Sequence, residues 1–208
     1  MKKMDYDAYI FDMDGTLWDA VDGYCDVWNA TIDAFGIDCP PIDRDRLFTQ
    51  MGQPLDVIMD ALIPGDYDRD AFMSRMRELE AEIVPRRGGV LYPRVREVIE
   101  ELRARGARIY LVSNCGASGL RNFFAFTGLG DLFDDSGAHG INGLSKAENI
   151  ALMVERHGLK HPVYVGDTQL DVDSSHAAGV PAVWCAYGFG EADGAEHRID
   201  SFEELLSL

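Results

Sequence analysis

Two aspartates one residue apart, Asp12 and Asp14, follow the apolar run Tyr9-Ile10-Phe11 and precede Gly15. The run reads as a buried strand. Strand geometry sends residues i and i+2 to the same side, and Gly15 permits the turn that leaves both carboxylates at the strand's end. Three further polar groups stand in comparable places. Ser113-Asn114 follows the apolar Ile109-Tyr110-Leu111-Val112, Lys146 opens a helical pattern, and Gly166-Asp167-Thr168-Gln169-Leu170-Asp171 follows Val163-Tyr164-Val165. Each has a commoner structural use: Ser-Asn as a turn or cap, Asp167 as a helix cap, Asp171 as a first-turn carboxylate facing the helix dipole.

Together they meet the demands of phosphoryl transfer to a carboxylate. An aspartate that attacks phosphorus is an anion approaching an anion, so a cation and fixed donors must neutralise the developing charge. Asp12, Asp167 and the backbone carbonyl of Asp14 offer the hard oxygen ligands that Mg²⁺ prefers. Ser113 and Asn114 can donate to phosphate oxygens, and Lys146 supplies a point positive charge. Asp14 is then the general acid for the leaving oxygen and the base for the attacking water.

The elements that must carry these residues follow from periodicity. Residues 20 to about 37 keep Val21, Tyr24, Cys25, Trp28, Ile32 and Phe35 at helical spacing. Asp43 can cap a short helix to about Gln50, Pro54 suits the first turn of another ending at Ile63, and Asp68 to Ile83 is a third. Residues 20 to about 85 thus read as all-helical, with Pro85-Arg86-Arg87-Gly88-Gly89 as a linker by composition. Beyond it, helices and strands alternate: a helix from Pro93 to Arg105, a strand Arg108–Val112, a helix to about Phe126, a brief strand in the stretch holding Phe133, and a helix Leu144–His157. A strand Val163–Val165, a helix Leu170–Ala178, a strand Pro181–Cys185 and a short closing strand and helix complete the chain.

That alternation implies an α/β fold, a Rossmann-like doubly wound parallel sheet with an inserted α-helical cap domain. The expected division is a core of residues 1–18 and 89–208 and a cap of residues 19–88. In such a sheet the functional groups gather at the carboxyl ends of the strands, and the four features fall there or on adjoining loops, Lys146 at the start of a helix.

The bulk composition narrows the partners. A formal net charge of −17 disfavours phosphate-backbone binding, so no nucleic-acid partner is expected. No run is apolar for long enough to span a bilayer, and Met1-Lys2-Lys3-Met4-Asp5 leads into the first strand without a signal-peptide core, so a cytoplasmic protein with no membrane partner is expected. The four cysteines are scattered, with no C-x-x-C pair, and read as reduced thiols, mostly buried. Lysine is scarce, so Lys146 stands out against the acidic background.

The stretch Asp12-Met13-Asp14-Gly15-Thr16-Leu17 resembles the signature of the haloacid dehalogenase superfamily, and Ser113, Lys146 and Gly166-Asp167-Thr168 with Asp171 resemble its later motifs in order. The resemblance covers the whole chain and extends to phosphoglycolate phosphatase-like members with a helical cap of the first type. It implies Asp12 as nucleophile, an aspartyl-phosphate intermediate and Mg²⁺ as cofactor. Dehalogenases of the family lack the second aspartate, so Asp14 points to a phosphatase or phosphomutase. Two departures stand out: Asp19-Ala20 where such phosphatases have Asp-Ser, and Ser145-Lys146-Ala147-Glu148 where many relatives have Gly-Lys-Pro. Gln50 and Gln53 lie in the region resembling the specificity loop and could bind a leaving group. Trp18 is expected at the junction of core and cap. The expected function is Mg²⁺-dependent hydrolysis of a small phosphorylated metabolite; the alternatives are a β-phosphoglucomutase-like phosphomutase and a non-catalytic phosphometabolite-binding module. The sequence leaves the oligomeric state open.

Overall fold

The computed structural model describes residues 6–53 and 55–208. The readings made on Met1–Asp5 and on Pro54 lie outside these residues. Six strands form one parallel sheet: β1 (Ala8–Phe11), β4 (Arg108–Ser113), β5 (Asp135–Ala138), β6 (Pro162–Gly166), β7 (Ala182–Cys185) and β8 (His197–Ile199). Their order across the sheet is β5-β4-β1-β6-β7-β8, every neighbouring pair parallel. The chain winds outward from β1 to one edge, then returns to β6 on the other side of β1. A crevice opens at the carboxyl end of the strands at such a switch point, and Asp12 lies there.

β1, β4 and β6 are apolar on both faces, as strands covered on both sides must be. Tyr9 and Phe11 face one core with Ile109, Leu111, Val163 and Val165. Ala8 and Ile10 face the other, with Tyr110, Val112 and Tyr164. The first core takes α5 (Val95–Ala104), which buries Val98, Ile99 and Leu102, and α6 (Ala117–Thr127). The second takes Ile150 and Met153 of α8 (Lys146–His157). The short α7 (His139–Asn142) follows β5, and α9 (Gln169–Ala177) packs on α8, β6 and β7.

The helical block lies between two strands too short to show a sequence period. β2 (Trp18–Asp19) and β3 (Val90–Leu91) pair antiparallel, Trp18 opposite Leu91, and this ribbon gathers the two crossing points of the chain. Between them come α1 (Val21–Phe35), α2 (Arg44–Phe48), α3 (Leu55–Leu62) and α4 (Arg69–Arg87), with no strand among the described residues.

The stretch expected from composition to be a linker is mostly helical. Pro85, Arg86 and Arg87 belong to α4, which ends at Gly88 rather than before Pro85. Pro85 lacks one donor, but it sits in the last turn, and the Gly88 N–H still reaches the Val84 carbonyl at 2.7 Å. Buried Val84 holds that turn in place. Trp18 is at the junction, as its position implied: it is fully buried, and its ring meets Phe123 of α6 edge-on at 5.1 Å.

Candidate active site

Each carboxylate is placed by an element end. Asp12 comes directly after β1, its N–H held by the Val165 carbonyl at 2.8 Å, and its side chain is buried. Gly15 then turns at φ +82°, a conformation that favours glycine. A Cβ at that position would lie 2.1 Å from an Asp167 carboxylate oxygen, so the turn packs directly beneath that acid. Asp167 leaves β6 fully buried, its two oxygens accepting from the Thr16 hydroxyl at 3.1 Å and the Phe189 N–H at 2.8 Å.

Lys146 opens α8 with its stem buried, and its ammonium lies 3.0 Å from Asp12 and 2.6 Å from Asp171. Ser145 caps that helix through Glu148, a reciprocal capping box that fixes where Lys146 emerges. Asp171 does more than face a dipole. One oxygen takes the N–H groups of Asp167 and Thr168 and the Thr168 hydroxyl, while the other meets Lys146. With its acceptors so engaged, Asp171 orients the lysine and the Asp167 backbone.

Oxygens of Asp12, Asp167 and Asp171 come within 4.8 Å of one another. Three buried carboxylates against a single ammonium leave a negative excess. Burial first, then the charges of Asp171 and Asp12, push the Asp167 carboxyl well above its ordinary range. Asp12 is raised to about 6 by burial, with Lys146 opposing the rise. Asp171, although buried, is held below the ordinary range by Lys146 and the Thr168 donors. A compact set of hard oxygen donors with unneutralised charge fits a small divalent cation.

Asp14 sits apart from that cluster. Its carboxylate accepts from the Trp18 indole N–H and the Tyr24 hydroxyl, both at 3.0 Å. Burial, then the charge of Asp12, raises it to about 7, where a group both gives and takes a proton near neutral pH. Sequence reasoning missed these two partners because Trp18 and Tyr24 fall in apolar patterns, which record the ring and not its polar edge. Phe189, in the loop after β7, carried no signal either, since it contributes a backbone N–H.

A cavity of about 190 Å³ opens above the strand ends. Asp12, Asp14, Ser113, Asn114 and Lys146 form its floor, all five of them anticipated. Ser113 ends β4 almost fully buried, its oxygen accepting from the Cys115 N–H at 3.2 Å. The Asn114 amide donates to the Gly52 carbonyl at 3.4 Å, tying the floor to the loop between α2 and α3. The two glutamines part company: Gln53 lines the cavity, whereas Gln50 is absent from the lining and donates to the Thr49 hydroxyl at 3.1 Å. Cys25 and Cys185 are buried and Cys39 and Cys115 half-buried, all four as free thiols. Burial pushes the Cys115 thiol up, so no reactive thiolate stands beside the site.

A parallel sheet whose switch point carries an acid cluster, a buried lysine and a polar-floored cavity defines a hydrolase-type α/β site. The family model for haloacid dehalogenase-like hydrolases matches residues 9–185, and the chain belongs to that family. A phosphoglycolate phosphatase of Chromobacterium violaceum is 25% identical over 97% of this chain and 95% of its own. A haloacid dehalogenase-like hydrolase from Streptococcus pneumoniae superposes with a TM-score of 0.86 at 21% identity, over 98% of each chain. CbbY from Rhodobacter sphaeroides, solved in complex with xylulose-(1,5)bisphosphate, gives 0.80 at 19% over 96% of each. The chain is a phosphatase-like hydrolase of this family. Among the described residues no helix is long and apolar enough to cross a membrane.

Proposed function

We propose that this protein is a Mg²⁺-dependent phosphatase that hydrolyses the phosphomonoester of a small metabolite through an aspartyl-phosphate on Asp12, with residues 19–88 as a cap over a core of residues 1–18 and 89–208. The observation that carries the reading is the Lys146 ammonium set between Asp12 and Asp171 at the cavity floor. Lysine there leaves Asp12 ionised, aimed at the cavity and able to accept a phosphoryl group without a full anionic clash.

In this reading a carboxylate oxygen of Asp12 forms a bond to phosphorus as the ester oxygen leaves. Asp14, held by Trp18 and Tyr24, gives its proton to that oxygen. Ser113, Asn114 and Lys146 hold the phosphoryl oxygens. Asp14 then takes a proton from water, the water oxygen bonds to phosphorus, and the acyl phosphate breaks to return Asp12 and release phosphate. Asp12, Asp167 and the Asp14 carbonyl would hold the Mg²⁺, which when bound neutralises charge on the transferring group. Asp171 is a positioning residue. Four free thiols suit a reducing cytoplasm.

The test is phosphate release from p-nitrophenyl phosphate with Mg²⁺. The wild type is expected to turn over and Asp12→Asn to be inactive; an Asp12→Asn protein as fast as the parent overturns the proposal.

A further inference from the structure

The catalytic floor of the cavity is polar; the walls contributed by the helical block are mostly apolar, with Tyr24, Gln53, Arg77 and Glu80 as their polar members. Val27 and Trp28 of α1, Leu47 of α2, Ile58 of α3 and Met76 of α4 face it, all of them buried. A group joined to the phosphoryl group and lying on this side of the cavity meets these side chains.

Charge on that side is also unsuited to an anion. Glu80, one turn after Met76 on α4, lines the cavity and accepts from the Ser118 hydroxyl of α6 at 3.0 Å. The one cation that the described residues add to the lining besides Lys146 is Arg77, which is exposed and stands one turn from Glu80 on the same helix. Lys146 is engaged by Asp12 and Asp171. A carboxylate or second phosphate on the leaving group would therefore lose its water among apolar walls, beside Glu80, with no buried cation to receive it.

Resting on the phosphatase reading above, we infer that the site selects a phosphomonoester whose leaving group is an uncharged, largely apolar body and discriminates against a second anionic group. Phosphoglycolate, which carries a carboxylate, is then a poor substrate for this chain. The volume of about 190 Å³ is shared by the phosphoryl group and this body and is only a little above the ~150 Å³ apolar cavity that accommodates benzene, so the body is limited to a single aryl ring or a short branched alkyl chain. Burial of such a body against Trp28, Ile58 and Met76 supplies the binding that the phosphoryl group, common to all substrates, does not.

The experiment measures kcat/KM with Mg²⁺ for phenyl phosphate, isobutyl phosphate, methyl phosphate, phosphoethanolamine and phosphoglycolate, each against the Asp12→Asn control. Phenyl and isobutyl phosphate are expected to exceed phosphoglycolate and methyl phosphate by about tenfold or more, the discrimination one or two buried methylenes provide. Met76→Ala should lower kcat/KM for phenyl phosphate more than for methyl phosphate, mainly through KM. Glu80→Gln, which keeps the shape and the Ser118 bond, should raise the ratio of phosphoglycolate to phenyl phosphate about fivefold. A wild-type preference for phosphoglycolate or phosphoethanolamine, with turnover still dependent on Asp12, overturns this inference and leaves the phosphatase reading intact. Absence of Asp12-dependent release from every ester overturns both. The wild-type panel decides without either variant.

Discussion

The Lys146 ammonium lies 3.0 Å from the Asp12 carboxylate, with both side chains almost wholly removed from solvent. The pair joins the first and third motifs across 134 residues of sequence, and its second arm to Asp171 brings in the fourth. Removing one member of a buried pair leaves an uncompensated charge, at a typical cost of about 3–5 kcal/mol. For Lys146→Met this predicts a fall in Tm of about 6 °C or more for a chain of this size, and a loss of about a hundredfold or more in kcat. Lys146→Arg should fail to rescue kcat, because the planar head cannot meet both carboxylates in the space of an ammonium. Thermal unfolding and steady-state kinetics on both variants check this.

The acid and nucleophile assignments separate in Asp14→Asn. An alkyl phosphate needs a proton on its leaving oxygen, so its turnover should drop by about 10²–10⁴. p-Nitrophenolate leaves without one, so Asp12 should still be phosphorylated, after which water attack lacks its base. The expected result is a burst of nitrophenolate close to one equivalent of enzyme, followed by slow release. A rapid-mixing trace without a burst would place the chemistry elsewhere.

The sequence shows the site's floor because polar residues interrupt apolar strands at their carboxyl ends, and sheet topology turns those interruptions into neighbours. Asp12, Asp14, Ser113 and Asn114 were legible in this way, as was Asp167 beside the floor, whereas Lys146 was legible as a rare lysine at the start of a helix. The parallel sheet was equally legible from its alternation with helices. What the pattern cannot carry is the polar edge of an aromatic residue, hence the silence about Trp18 and Tyr24 as donors to Asp14. Nor does composition reveal that Pro85 continues α4, since that depends on Val84 being buried and on its carbonyl receiving Gly88. The β2–β3 ribbon has two residues per strand, too few for a period of two to register. Gln50 and Gln53 show the limit most directly: three residues apart in one loop, only Gln53 lines the cavity.

Cation binding should be visible without turnover. In the wild type, Mg²⁺ at about a hundred times its Kd should stabilise the fold by about 2.7 kcal/mol, read as a rise in Tm, and chelation should abolish activity until Mg²⁺ is returned. Asp167→Asn removes a carboxyl that burial and its acidic neighbours already hold well above its ordinary range. Without metal this variant should melt no lower than the wild type, because one of three crowded carboxylates is gone. Its response to Mg²⁺ should be lost. A variant that melts lower yet keeps the full Mg²⁺ response would assign Asp167 a structural role only.

Asp135 provides a stability prediction remote from the site. At the start of β5 it receives Arg156 at 3.0 Å and His157 at 2.8 Å, both from the last turn of α8, and the Ser136 N–H at 2.8 Å. Burial pushes its carboxyl up, but the donors from His157, Ser136 and Arg156 outweigh that and hold it below the ordinary range. A carboxyl depressed in the folded state contributes stability at pH values above its unfolded pKa, and that contribution is lost as pH falls through the folded value. Asp135→Asn should therefore lower Tm at pH 7 by about 2–4 °C, the effect of about 1 kcal/mol on a chain of this size. The gap from the wild type should narrow as pH drops below the ordinary carboxylate range, because the wild-type side chain then becomes neutral as well. A difference in Tm that stays constant from pH 7 to acid would mean that the packing of β5 against α8, rather than the charge on Asp135, is what the substitution disturbs.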